Sequence, residues 1–119
     1  MRNFRELEVW KIGFEIMLEV YQISKSLPNE EKYGLGDQIR RASVSIPSNI
    51  AEGCGRSGER DFKRYPEIAI GSSFELETQL LAIQSLKLAE HDIEKLCDKI
   101  NLFQRKLNEF ISSIKSRLK

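Results

Sequence analysis

The amino-acid sequence predicts an all-α fold: an up-down-up-down four-helix bundle that assembles as a homo-oligomer. Three observations carry that expectation. Apolar residues recur at three- and four-residue steps in four separate stretches. Strand-like alternation never persists, and β-branched residues are scattered. The first stretch also carries two apolar lines, more than one packing neighbour can cover.

The bulk numbers are compatible with this. A chain of 119 residues fits one domain spanning 1–119. With 40% hydrophobic and 31% charged residues, the composition is that of a soluble globular protein. The net charge of +1 selects no partner, so any nucleic-acid site must come from local clustering.

The first helix is expected from about Arg5 to Leu27. Leu7, Trp10, Phe14, Met17 and Tyr21 form one line, and Val9, Ile12, Ile16, Val20, Ile23 and Leu27 form a second. Together they span an apolar arc of roughly 200°, wide enough for burial on two sides. The stretch "SLPNEEKYG", with Pro28 and Asn29, ends the helix.

The second helix starts near Leu35, with a stripe of Leu35, Ile39, Ala42, Ile46 and Ile50. Pro47 falls inside it, within "RRASVSIPSNIAEGCGR". A proline there removes the hydrogen bond to the Ser43 carbonyl. Either the helix ends near Ser45 and restarts, or it continues bent. The stripe keeps its phase across Pro47, which favours the bent, continuous helix. Gly53 or Gly55 then caps it, and "GCGRSG" makes a short turn.

The third helix is expected between about Arg60 and Lys87. Phe62, Tyr65, Ala69, Leu76, Leu80 and Ile83 share one face; Ile70, Phe74, Leu81 and Leu88 form another line. Pro66 poses the same choice as Pro47: it lies within the helix, or marks its first turn after an irregular "GERDFKRY". The fourth helix runs from about Asp92 to Leu118. Ile93, Leu96, Ile100, Phe103, Leu107, Phe110 and Ile114 follow a heptad pattern. One unbroken helix across both would reach roughly 85 Å, too long for a compact domain. The turn therefore falls at "KLAEHD", with Asp92 or Glu90 near the new N-terminus.

No catalytic constellation emerges, and the chain is expected not to be an enzyme. His91 stands alone, and Cys54 has arginines nearby that would lower its pKa but no histidine to pair with. Glu75 and Glu77 fall on different helical faces, and no Glu-x-x-His motif is present. Cys54, Cys97 and one histidine make no zinc set, so no metal or cofactor is expected, and the cysteines read as idle thiols. The "GCGRSG" turn lacks the Lys-Ser/Thr of a phosphate-binding P-loop and follows no strand. With neither a signal peptide nor a membrane-length apolar run, a cytoplasmic protein is expected.

The chemistry that remains is basic. Arg40, Arg41, Arg56, Arg60, Lys63 and Arg64 crowd the central quarter, against Glu52, Glu59 and Asp61. The C-terminal stretch adds Arg105, Lys106, Lys115, Arg117 and Lys119. Such residues either present a positive face to phosphates or are solvated helix surface. A symmetric ring would multiply and concentrate them.

The stretches "LEVWKIGFEIMLEVY", "LGDQIRRASVSIPSNIAEGCGR" and "FELETQLL", in this order, resemble the four-helix-bundle family encoded in 23S rRNA intervening sequences. The resemblance implies a homopentameric barrel. It also implies kinship with accessory proteins of diversity-generating retroelements, which bind nucleic acid and a reverse transcriptase. The motif positions are Arg40, Arg41, Ser45, Pro47, Ser48, Asn49, Glu52, Gly53 and Arg56, with Glu75, Glu77 and Gln79. Pro66 in "FKRYPEIAIGS" departs from the family's usual proline-free run, and the near-neutral charge departs from the strongly basic relatives. The expected function is a non-enzymatic homo-oligomer that binds structured RNA or a ribonucleoprotein. The alternative is a protein-interaction scaffold without a nucleic-acid role.

Overall fold

The computed structural model describes residues 2–118. Four helices form it: α1 (Glu8–Ser26), α2 (Leu35–Cys54), α3 (Glu59–Ser85) and α4 (Ile93–Ser116). Single 3-10 turns lie at Phe4–Glu6 and Asn29–Glu31, and no strand occurs among the described residues. Helix α1 packs on α2, α2 on α3, α3 on α4, and α4 on α1, while the diagonal pairs barely meet. Each helix thus has two neighbours around a shared core, in a body of 48 × 22 × 20 Å.

In α1 the two apolar lines have different fates. Val9, Ile16, Val20, Ile23 and the following Leu27 are buried. Of the other line, Leu7, Trp10 and Met17 are half-buried, while Phe14 and Tyr21 are exposed. Between the lines sits Gly13, which the apolar pattern passes over. A Cβ there would stand 3.0 Å from the Ile46 side chain and 3.5 Å from Phe103. The missing side chain lets α1 lie close to both neighbours.

Helix α2 runs unbroken through Pro47, which is buried, as are Ala42, Ile46 and Ile50 of the stripe. Side chains tie this region together. The Ser43 hydroxyl donates to the Arg40 carbonyl (2.9 Å), and the Asn49 amide donates to the Ser45 carbonyl (2.8 Å) and hydroxyl (2.9 Å). Ser45 also pairs with Ser72 of α3 across 2.8 Å.

The structure decides two alternatives that the sequence leaves open around the next turn. Gly55, not Gly53, takes the cap position, with an ordinary φ of −84°. Gly53 is instead a buried contact point. A Cβ on it would stand 3.0 Å from both the Phe62 ring and the Phe62 carbonyl oxygen, and 3.1 Å from Tyr65 Cβ. Pro66 does not start α3, which begins at Glu59 and carries the proline buried within it. Tertiary burial overrides the local cost of the ring. The two outcomes are linked, because Pro66 has no N–H to return to the Phe62 carbonyl, the group that Gly53 lies against.

The turn between α3 and α4 falls within the expected stretch. Lys87 takes a left-handed φ of 54°, and the Leu88 N–H reaches back to the Ile83 carbonyl (3.0 Å). This reversal ends the helix and satisfies its last carbonyls. Asp92 then caps α4, its carboxylate accepting the Lys95 N–H at 3.0 Å.

Along α4, Ile93, Leu96, Ile100, Phe103, Leu107 and Ile114 are buried as the heptad pattern requires. Near the end Ile111 is buried and Phe110 is half-buried, the drift expected when a seven-residue repeat is laid on a 3.6-residue helix. Phe110 meets Phe62 edge-on, with centroids 5.7 Å apart. Together with Cys54, Ile114, Phe4 and Leu7 they close one end of the core.

Candidate functional site

The six basic residues singled out from the sequence form two groups. Arg40 and Arg41 lie in the second turn of α2. Arg56 lies just past its far end, about 24 Å along the axis at 1.5 Å per residue. Neighbours in sequence are therefore not neighbours on the surface.

At the first group, Arg40 donates to Asp37 (2.7 Å) and to the Lys32 carbonyl (3.0 Å). It fastens the α1–α2 connection and is half-buried. Arg41 points to solvent, and among the described residues no carboxylate lies within salt-bridge distance of it. Both border an open groove with Tyr21, Val44, Ser45 and Ser48.

The second group is built on the turn from α2 to α3. Arg56 pairs with Glu52 (2.9 Å) and Asp61 (3.8 Å), and Arg64 with Asp61 (3.5 Å). Both guanidinium groups also lie over the Tyr65 ring, at 4.8 and 4.9 Å from its centroid. Arg64 donates to the Tyr65 hydroxyl at 2.8 Å, and that bond raises its pKa further above its usual value. Lys63 pairs with Glu67 at 3.6 Å. Arg60 is exposed, with no carboxylate within salt-bridge distance among the described residues. Tyr65 thus acts as a plate that holds two arginines side by side, a role the apolar pattern did not reveal.

Glu59 adds to this end of the molecule. It accepts hydrogen bonds from Arg2 and from Arg117 (2.7 Å), and these hold its carboxyl below the usual 4.5. Arg2 also lies over the Phe62 ring at 4.0 Å. The segment at Arg2, the start of α3 and the end of α4 therefore meet beside the α2–α3 turn, and arginines dominate there.

Of the remaining motif positions, Ser45 and Gly53 meet α3, Asn49 bonds Ser45 within α2, and Pro47 is buried, while Ser48 and Glu52 face solvent. Glu75 is exposed, but Glu77 turns toward α4 and accepts from Gln104 (3.0 Å) and Asn101 (3.0 Å). Gln104, buried, also donates to the Ser73 hydroxyl at 3.2 Å. This polar bridge between α3 and α4 was not foreseen. Gln104 lies outside the apolar heptad positions, so the pattern carried no signal for it.

Other titratable groups are not assembled into a reactive set. Burial pushes the Cys54 thiol up despite the nearby Arg2 charge, so the expected lowering by arginine is overturned. Burial likewise pushes Cys97 up, reinforced by Glu77 and Asp98. Lys99 is partly desolvated, but its bonds to Glu19 (3.0 Å) and Glu15 (3.1 Å) prevail and raise its pKa. His91 Nδ1 lies 3.2 Å from the Ser26 hydroxyl. Among the described residues, no group of three or more His, Cys, Asp or Glu could hold a metal ion, and no helix is long and apolar enough to cross a membrane.

Comparison with known proteins places this architecture. A crystal structure of a protein of unknown function from the S23 ribosomal protein family of Bacteroides thetaiotaomicron is similar, with a TM-score of 0.77 and 26% sequence identity. The similarity covers 87% of this chain and 97% of that one. No curated protein matches the sequence. Residues 5–109 match the family described as 23S rRNA-intervening sequence protein. The match takes in all of α1, α2 and α3 and most of α4, and on it the chain belongs to the 23S rRNA-intervening sequence protein family.

Proposed function

We propose that the protein is a non-enzymatic homo-oligomer, an up-down-up-down bundle in a pentameric ring, that binds structured RNA or a ribonucleoprotein in the cytoplasm. The observation that carries the reading is the arginine assembly at the α2–α3 turn. Arg56 and Arg64 are held over Tyr65, Arg60 stands free, and Lys63 lies one turn away. Planar guanidinium groups fixed in this way present forked donors to phosphate oxygens. Glu52 and Asp61 compete for the same donors, so phosphate binding here displaces weak surface ion pairs. A ring would repeat the assembly once per subunit and strengthen the field toward RNA. Arg40 and Arg41 lie too far along α2 to join the same phosphate contact.

A filter-binding titration with structured RNA at low and high salt tests the reading. Expected is binding at low salt that weakens steadily as salt rises, with Arg60→Glu weakening it at every concentration. Absence of binding at low salt, or binding indifferent to salt, overturns it. The second reading, a scaffold for other proteins, draws on the exposed apolar residues of α1 and α3. It is favoured if partners captured from native host cells survive nuclease treatment.

A further inference from the structure

We propose that one copy docks on the next head to tail, the outer face of α3 seating in the groove between α1 and α2. The inference rests on the self-association proposed above and assigns its two surfaces. The groove has an apolar floor of Met17, Leu18, Tyr21 and Val44. Leu18 is 51% exposed, a degree of exposure that a leucine on a covered face does not have. Lys25 and Glu19 edge it, Glu19 being paired with Lys99, and Arg41 borders the adjoining groove that shares Tyr21 and Val44. Lys25 and Arg41 are exposed, and neither has a carboxylate within salt-bridge distance among the described residues.

The outer face of α3 is complementary. Phe74 and Leu81 are 52% and 45% exposed and stand seven residues apart, so they project from one side of the helix. Gly71 lies on the same side, and a Cβ there would meet nothing within 4 Å. That open notch allows a close approach. Glu75 is exposed beside Phe74 and, among the described residues, has no cation within salt-bridge distance. Two apolar anchors flanked by an unpaired acid match an apolar floor with unpaired Lys25 at its edge and unpaired Arg41 beside it, the one acid there, Glu19, being already paired with Lys99. This is a helix-in-groove contact with charge fixing its direction.

The two surfaces are different parts of the molecule, since α1 and α3 occupy opposite corners and barely touch. A contact between unlike patches is heterologous, and it propagates until it closes into a ring or grows as a filament. A two-fold dimer would instead bring like patches together. The charge match favours the first arrangement: groove against groove would oppose Lys25 and Arg41 to themselves, and α3 against α3 would oppose Glu75 to itself.

Cysteine cross-linking distinguishes these outcomes, because the native Cys54 and Cys97 are both buried. Val44→Cys and Phe74→Cys are made separately, with circular dichroism confirming the fold, and oxidised alone and mixed. Expected is no cross-link from either alone, a covalent dimer from the mixture, and a ladder from the double variant. A dimer from Val44→Cys alone overturns the proposal in favour of a two-fold contact. Wild-type protein that associates by light scattering while the mixture stays uncross-linked overturns this docking and leaves self-association standing. A monomeric wild type removes both.

Discussion

At the residue scale, Gly53 and Lys87 show opposite uses of backbone freedom. Gly53 needs no special φ; it needs the absence of a Cβ. The obstructing atoms include the Phe62 carbonyl oxygen at 3.0 Å, and a backbone atom cannot swing aside as a flexible side chain does. Gly53→Ala should therefore destabilise the protein by about 1–3 kcal/mol, read as a lower urea midpoint at unchanged slope. Lys87 has the converse problem. Its φ of 54° is costly for a residue with a Cβ. Lys87→Gly should stabilise by about 0.5–1 kcal/mol, since relief of strain exceeds the added freedom of the unfolded chain. A melting temperature equal to or below wild type would contradict this.

At the scale of elements, α4 shows how far a pattern can be read. Its heptads are written in the sequence, and Ile93 to Leu107 are buried as the spacing requires. The position of Asp92 before the first apolar residue marks the cap, and it caps. The same pattern hides Gln104, whose burial depends on finding Glu77 and Ser73 across the helix pair, a tertiary fact with no local signature. Gln104→Leu keeps the volume but leaves the half-buried Glu77 carboxylate short of a donor. The expected loss is about 1–3 kcal/mol in denaturant unfolding. Helix α3 carries the related lesson for Pro66. Local chemistry favours a proline in the first turn, but the core contact holds the helix together on both sides of it. The basic cluster divided for a geometric reason. Arg40 and Arg56 are close in the chain, and a helix converts that closeness into distance. The spacings Glu52–Arg56 and Asp61–Arg64 carry the partial neutralisation of the turn in the sequence itself.

At the scale of the whole molecule, the Glu59 clamp joins segments far apart in sequence. Its folded pKa is lowered, first by the hydrogen bond from Arg2 and then by that from Arg117. The sign follows from linkage: a depressed carboxylate pKa gives stability that is full above the unfolded value and lost as pH falls through the folded one. The contribution should therefore be present at neutral pH, begin to fall below about 4.5 and be gone once the pH is below the lowered folded value. The difference in stability between wild type and Glu59→Gln, followed by thermal melts from pH 7 to 3, should shrink toward zero at the acid end. A difference that does not change with pH would refute the clamp. None of this was visible beforehand, because residues 2, 59 and 117 carry no pattern that relates them.

The same clamp bears on how the chain can be rewired. Arg2 and Arg117 reach one carboxylate, so residues 2 and 117 lie within a short linker of each other. A circularly permuted protein, closed there and opened in the exposed Lys87–Asp92 turn, should retain every helix–helix contact. Its new extremities would lie at a link between two helices, well away from the arginines stacked on Tyr65. Affinity handles could then be attached without covering that surface.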